Sequence, residues 1–400
     1  MSDPLTRSRL AALAGVAEAW LERLEACGLL VPGPEGYAVG DVMRVRLIES
    51  LEAAGLGPDV LGEAVRRGDL PAGFGTGLLA EPVMLSGATV AETLGALGMP
   101  EAFARRLWLA AGFAGFDGGT VLREDDRELL ALIAQARDIG VSEESLIRAV
   151  RIFGHSLRRV VTVMRDLFRV EVEERLLGEG RSHADMLVRG AEHRAALQEV
   201  GFRSTLLLHR RFLEEAVFAN VATRIQETIQ GGEAAAQGAP TVAFVDLTGF
   251  TRFAEVTGDA AAADRAAALE ALAQETAVQH RGRLVKSLGD GVMLLFERAA
   301  DGIETCLAVV AEIALMGDAQ ARAGLATGPV AQRDGDVFGT TVNLAARIAD
   351  RAEPGEVLVS AATRESCRAG DPAFTGPVAA ALKGLGEVTL YRAARGSADA

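Results

Sequence analysis

The chain changes texture at Pro240. Before it, apolar residues recur every third or fourth position, the spacing that gathers them on one side of a helix. After it, short apolar runs alternate with helical stretches. TVAFVD, GRLVKSL, VMLLFE, RAGLATG, EVLVS and VTLYR predict strands, and the segments around 259–280, 299–316, 341–351 and 361–369 predict helices. Gly289-Asp290-Gly291 between two of these runs has the chemistry of a tight hairpin turn. The mixed order predicts an α+β domain over 241–395, its sheet covered by helices on one face.

Residues 1–230 read as a helical domain that contains a repeat, over about 10–65 and again over about 89–150. Gly28 matches Gly112, Asp41 matches Asp126, Gly55 matches Gly140, and Ala64-Val65 matches Ala149-Val150. Each copy predicts short helices around a turn, with the aspartate near a helix start. The helical pattern continues from Ser156 to Ile229. Over 203–229, Leu206, Phe212, Leu213, Val217, Val221, Ile225 and Ile229 form an apolar stripe that must pack against something. The stripe stops in QGGEAAAQGAP, whose small residues predict a linker over 231–240.

Composition narrows the class. A chain of 400 residues is long enough for two or more domains, and 49% hydrophobic with 24% charged residues describes a soluble protein. The run TCLAVVAEIALMG from Thr305 is too short to span a bilayer and contains Glu312. No export leader opens the chain, and Cys27, Cys306 and Cys367 are too scattered for a disulfide framework or a zinc site, so the expected compartment is the cytoplasm. A net charge of −14 argues against a broad grip on nucleic acid.

The chain has neither GxxxxGK[ST] nor GxGxxG, so a nucleotide would be held by other means. The candidates are two carboxylates. Asp246 ends the strand TVAFVD, Asp290 sits at the hairpin tip, and a strand end beside a hairpin tip can share Mg²⁺ or Mn²⁺. Taken singly, each reads better as an ordinary turn aspartate.

Three blocks change that balance. FVDLTGFT (244–251), KSLGD (286–290) and DVFGTTVNLAAR (336–347) resemble, in order and approximate spacing, the class III adenylyl and guanylyl cyclases, over roughly 240–393. The resemblance implies a ferredoxin-like cyclase domain in which Asp246 and Asp290 hold two Mg²⁺ or Mn²⁺ ions per site. It makes Lys286 and Asp336 the readers of adenine, Asn343 the residue that orients the ribose, and Arg347 the one that neutralises the phosphate in the transition state. Lys383 resembles a lysine that family members use on the triphosphate. Lysine with aspartate suits the N1 acceptor and N6 donor of adenine, so ATP is the substrate implied. In the family the metal carboxylates and the remaining residues belong to opposite protomers, which implies a homodimer with two composite sites. GLATGPVAQRDGDVFG is shorter than in many relatives and implies an abbreviated dimerisation arm.

The N-terminal repeats resemble the winged helix-turn-helix of MerR-type regulators, and the half as a whole resembles the regulatory regions of soluble actinobacterial-type cyclases. Regulation, with the 203–229 helix transmitting a small apolar or pH input, is the expected role. A DNA-binding regulator fused to a cyclase ranks below it, because a groove-reading helix should be richer in Arg and Lys than GVAEAWLERLEACGLL. A cyclase domain kept only to bind nucleotide is a third reading. His209 on the transmitting helix is the best-placed candidate pH sensor, although an ordinary surface histidine is the preferred reading.

Overall fold

A computed structural model describes residues 4–75, 84–230, 239–317, 319–368, 372–382, 384 and 386–395. The expected linker residues 231–238 and Lys383 lie outside the described residues. The chain divides into two compact units, Met1–Phe218 and Ala219–Ala400.

The first unit runs α1 (Arg7–Ala14), α2 (Glu18–Ala26), α3 (Gly40–Ala53), α4 (Pro58–Arg67), β1 (Leu85–Thr89), α5 (Val90–Ala96), α6 (Glu101–Ala111), β2 (Val121–Arg123), α7 (Glu124–Asp138) and α8 (Glu143–Phe168). A π-helical turn (Arg169–Glu174) and α9 (Arg175–Gly178) lead to α10, a continuous helix from His183 to Gln230. Two apolar cores form. Leu10, Leu21, Leu24, Val45 and Ile48 build one from α1–α3, and Leu94, Phe103, Leu107, Leu130 and Ile147 build the other from α5–α8. The paired glycines take the same backbone state. Gly28 and Gly112 follow α2 and α6 at φ 73° and 86°, and Gly55 and Gly140 follow α3 and α7 at 93° and 95°, a left-handed turn that a side chain would strain.

The first unit is helical as expected and also carries one short pair of strands. β1 pairs antiparallel with β2, Leu85 opposite Arg123 and Thr89 opposite Val121. Runs this short show no alternation, so only their partner across the fold makes them strands.

The second unit continues with β3 (Thr241–Thr248), α11 (Phe250–Thr257), α12 (Asp259–Gln279), β4 (Gly282–Ser287), β5 (Gly291–Phe296), α13 (Ala299–Leu315) and β6 (Gln320–Thr327). It closes with β7 (Ala331–Arg333), β8 (Asp336–Phe338), α14 (Thr340–Arg351), β9 (Val357–Ser360), α15 (Ala361–Glu365), β10 (Ala373–Leu382) and β11 (Gly386–Ala394). Seven strands form one mixed sheet in the order β10-β11-β9-β6-β3-β5-β4, and β7–β8 is a separate short hairpin. β6 and β9 are parallel, and the other pairs are antiparallel.

Helices lie on both faces of this sheet, not on one as expected. Ala243, Val245, Val292 and Leu294 pack with α12 and α13, while Val242, Met293 and Leu295 pack with Ala345 and Ile348 of α14. The near-continuous apolar runs of β3 and β5 are the sequence sign of two-sided burial, because a half-buried strand would alternate. β10 was not expected from its sequence. AFTGPVAAAL holds Gly376 and Pro377 and lacks alternation, and it is tolerated at the sheet edge where a missing N–H breaks no inner ladder.

Gly324 decides how closely α14 approaches β6. A Cβ there would lie 2.0 Å from Ala349 N and 2.6 Å from its Cα, backbone atoms that cannot rotate away. Gly324→Ala should therefore cost at least about 2–3 kcal/mol of stability in a denaturant titration. Gly95→Ala in α5 meets open space and serves as the control, neutral or slightly stabilising by up to ~1 kcal/mol.

Candidate active site

The centre of the sheet brings Asp246 and Asp290 together. On β3, Asp246 stands opposite Gly291 of β5 on one side and Arg322 of β6 on the other. Leu247 N–H donates to the Asp290 carbonyl at 2.8 Å, which ties the hairpin tip to the strand end. Gly291 is needed here, because a Cβ would come within 3.0 Å of the Asp246 carboxylate and 3.1 Å of the Val245 carbonyl. Gly289 turns the hairpin at φ 88°.

Both aspartates line an open cleft of ≈ 610 Å³, together with Thr248–Arg252, Arg322 and Asp350–Pro354. Arg322, which the sequence did not single out, also lies in this cleft. Its Nε and Nη2 donate to Asp246 Oδ2 at 3.3 and 3.0 Å, and its Nη1 donates to the carbonyls of Asp350 and Ala352 at 2.8 and 3.4 Å. The signal was a lone arginine in the otherwise uncharged run ARAGLATG, but its partner depends on strand register. The start of α11 also went unread. Phe253 N–H makes the first helical bond to the Gly249 carbonyl, so the N–H groups of 250–252 have no acceptor within the helix, the arrangement that attracts anions.

Burial pushes the Asp246 carboxyl above its ordinary value; the Arg322 pair opposes this, and the Asp290 and Asp350 carboxylates add to the rise. Such a crowd of negative charge favours a cation. Among the described residues no cluster of three or more His, Cys, Asp or Glu side chains is placed to hold a metal. Two carboxylates still fit Mg²⁺ or Mn²⁺, hard ions that complete their shell with water and substrate phosphate oxygens.

Lys286 and Asp336 meet elsewhere. Lys286 Nζ lies 2.6 Å from Asp336 Oδ2, while Asp336 Oδ1 accepts from Val337 N–H at 2.7 Å. Burial raises the Asp336 carboxyl, but these two hydrogen bonds outweigh it and hold the group below its ordinary value. Both side chains remain partly open, 39% and 29% exposed, so a ligand can reach them. Asn343 and Arg347 stand four residues apart on the exposed face of α14, and Arg347 Nη1 pairs with Asp350 Oδ2 at 3.3 Å. Lys286, Asp336, Asn343 and Arg347 do not line the cleft that holds Asp246 and Asp290. His209 is exposed on α10.

Removing Arg322 should expose the charge problem. Arg322→Ala is expected to lose about 1–3 kcal/mol near neutral pH, where Asp246 must stay ionised beside two other carboxylates. A carboxyl whose folded value is raised costs stability once it ionises and is relieved as acid protonates it, so the deficit should shrink as the pH falls from neutral into the acid range. Thermal melts of both proteins across this range read it; a deficit independent of pH would contradict the account.

Three comparisons place the chain among known proteins. Residues 233–393 match the model of the adenylate and guanylate cyclase catalytic domain. An adenylate cyclase of Streptomyces coelicolor is 30% identical over 275 residues, covering 67% of this chain and 68% of that one. A pH-sensitive adenylate cyclase of Mycobacterium tuberculosis is 27% identical over 374 residues, 88% of each chain. The crystal structure of an adenylyl cyclase from P. aeruginosa matches 41% of this chain and 97% of its own, at 23% identity and a TM-score of 0.37. The described residues contain no helix long and apolar enough to cross a membrane. The chain belongs to the class III adenylate and guanylate cyclase family, with its catalytic domain in the second unit.

Proposed function

We propose that the chain converts ATP to 3′,5′-cyclic AMP and pyrophosphate in two composite sites of a cytoplasmic homodimer, under control of its N-terminal half. The Lys286–Asp336 pair at 2.6 Å carries the choice of base. Adenine presents an acceptor at N1 and a donor at N6, which a lysine and an aspartate complement in one plane. Guanine presents O6 as acceptor and N1 and N2 as donors, which this pair would mismatch. Without a base the two side chains satisfy each other, so the readers are kept in place.

Asp246 and Asp290 are the residues that would hold two divalent ions. Bound there, the ions would lower the pKa of the ribose 3′-hydroxyl and offset triphosphate charge. The chain's own groups do the rest of the positioning. Arg322 and the free N–H groups at the start of α11 face the same cleft and suit the β- and γ-phosphates. Asn343 holds the ribose, Arg347 neutralises charge that develops on the α-phosphate as pyrophosphate leaves, and Lys383 adds to the triphosphate grip. Because Asn343 and Arg347 are exposed on α14 and do not line the cleft, the reading gives them to the partner's cleft across a two-fold axis. The alignment with the M. tuberculosis relative extends well beyond the catalytic domain, and that relative's name makes pH the first regulatory input to test.

Two assays bear on this. Asp246→Ala and Arg347→Ala homodimers should each lose at least 100-fold in turnover, and mixing them should restore part of it, since one site of the mixed dimer keeps all its groups. No recovery would remove the shared site. Separately, kcat/KM for ATP should exceed that for GTP by at least about 10²-fold, on the scale of mismatched buried polar groups; equal or better use of GTP would overturn the base assignment.

A further inference from the structure

Glu356 immediately precedes β9 with its side chain only 8% exposed, and its carboxylate is shared between two partners. Oε1 accepts from Nε and Nη2 of Arg392 on β11, and Oε2 accepts from the Glu353 N–H at 2.9 Å. A buried carboxylate is costly unless it is paired and hydrogen-bonded, so this placement needs a reason. Joining β9 to β11 is not that reason, because their ladder already runs from Leu358 opposite Arg392 to Ser360 opposite Leu390. What Glu356 adds is a hold on the segment between α14 and β9.

That segment supports Arg322 from behind. Arg322 Nη1 donates to the Asp350 and Ala352 carbonyls at 2.8 and 3.4 Å, while Nε and Nη2 turn to Asp246. Fixed carbonyls there fix the plane of the guanidinium, since all its donors lie in one rigid fork. The backbone ties the same segment to β6 on either side of Arg322: Gly355 N–H donates to the Ala321 carbonyl at 2.8 Å, and Ala323 N–H to the Glu356 carbonyl at 2.9 Å. Between those ties and the two carbonyls the chain closes a turn. Glu356 N–H donates to the Glu353 carbonyl at 2.9 Å, and the Glu356 carboxylate accepts from the Glu353 N–H, so both backbone groups of Glu353 are bonded to one residue.

We propose that Glu356, compensated by Arg392, is a positioning residue for the triphosphate: it holds the cleft-lining segment 350–354 so that the Arg322 guanidinium stays presented to the cleft. The inference rests on the reading that Arg322 meets the β- and γ-phosphates. Glutamine cannot replace Glu356. An amide has one acceptor oxygen and would have to turn its NH2 toward either the Arg392 guanidinium or the Glu353 N–H. Glu356→Gln therefore releases one of the two ties while keeping the size of the side chain.

Initial-rate kinetics of the full chain with Mg²⁺ and ATP, together with inhibition by added pyrophosphate, test it. Arg322→Ala should raise both the KM for ATP and the Ki for pyrophosphate at least about 10-fold, the scale of a lost charge-assisted hydrogen bond. Glu356→Gln should raise both about 3- to 10-fold with a smaller change in kcat, and add less than about 2-fold to either in the Arg322→Ala background, since residues that act through one group are not additive. A merely structural role would lower kcat through the active fraction and leave both constants alone. If Glu356→Gln does not fold, Arg392→Lys, which keeps the charge but loses the two-pronged contact, should give the same non-additive rise at about 2- to 5-fold. Unchanged constants in the folded variant, or a full multiplied effect on top of Arg322→Ala, would overturn the positioning role alone. Unchanged constants in Arg322→Ala itself would remove the phosphate reading of Arg322, and this inference with it.

Discussion

The register of β3 in the middle of the sheet is the constraint on which the chemistry of the second unit depends. It sets Asp246 between Gly291 and Arg322 at the point where the strand leaves the core. A shift by one residue would turn Asp246 toward packed helices and expose Val245, so burial of both faces enforces the register strongly. Around that point each neighbour has a physical reason for its identity. Gly291 leaves room for the carboxylate, the Leu247–Asp290 backbone bond brings the second aspartate to it, and Arg322 compensates the charge.

The same arrangement links the two sides of the sheet. Gly324 lets α14 lie close on β6, and the end of α14 offers the Asp350 carbonyl to Arg322 while its outer face carries Asn343 and Arg347. A cation suits the C-terminal end of a helix, where carbonyl groups lack partners. Packing, charge compensation and presentation of the exposed polar residues are thus properties of one helix seated on one glycine.

The first unit is built on a different economy. Two small cores, each ended by left-handed glycines after matching helices, support long helices that bury little of themselves. Phe153 and Leu157 on α8 and Leu206 and Leu213 on α10 stay about half exposed.

The strands of the central sheet, the helices over them, the hairpin and the pairing of Asp246 with Asp290 were legible in the sequence, because they rest on local periodicity, turn chemistry and a few polar positions in fixed order. Lys286 and Asp336 were brought into one site only by the resemblance to the cyclases, and the structure places them 2.6 Å apart. What sequence could not supply was whatever depends on a neighbour far along the chain. Arg322 gained its role only when β6 came to lie beside β3 in a particular register. The edge strand β10 and the short β1–β2 pair exist only because another strand is there to pair with them. The second helical layer follows from a glycine whose value lies in what presses against it. Residue type and spacing determine local conformation and candidate chemistry, whereas tertiary contacts decide which candidates meet, since a side chain's charge environment is set by neighbours that periodicity does not name.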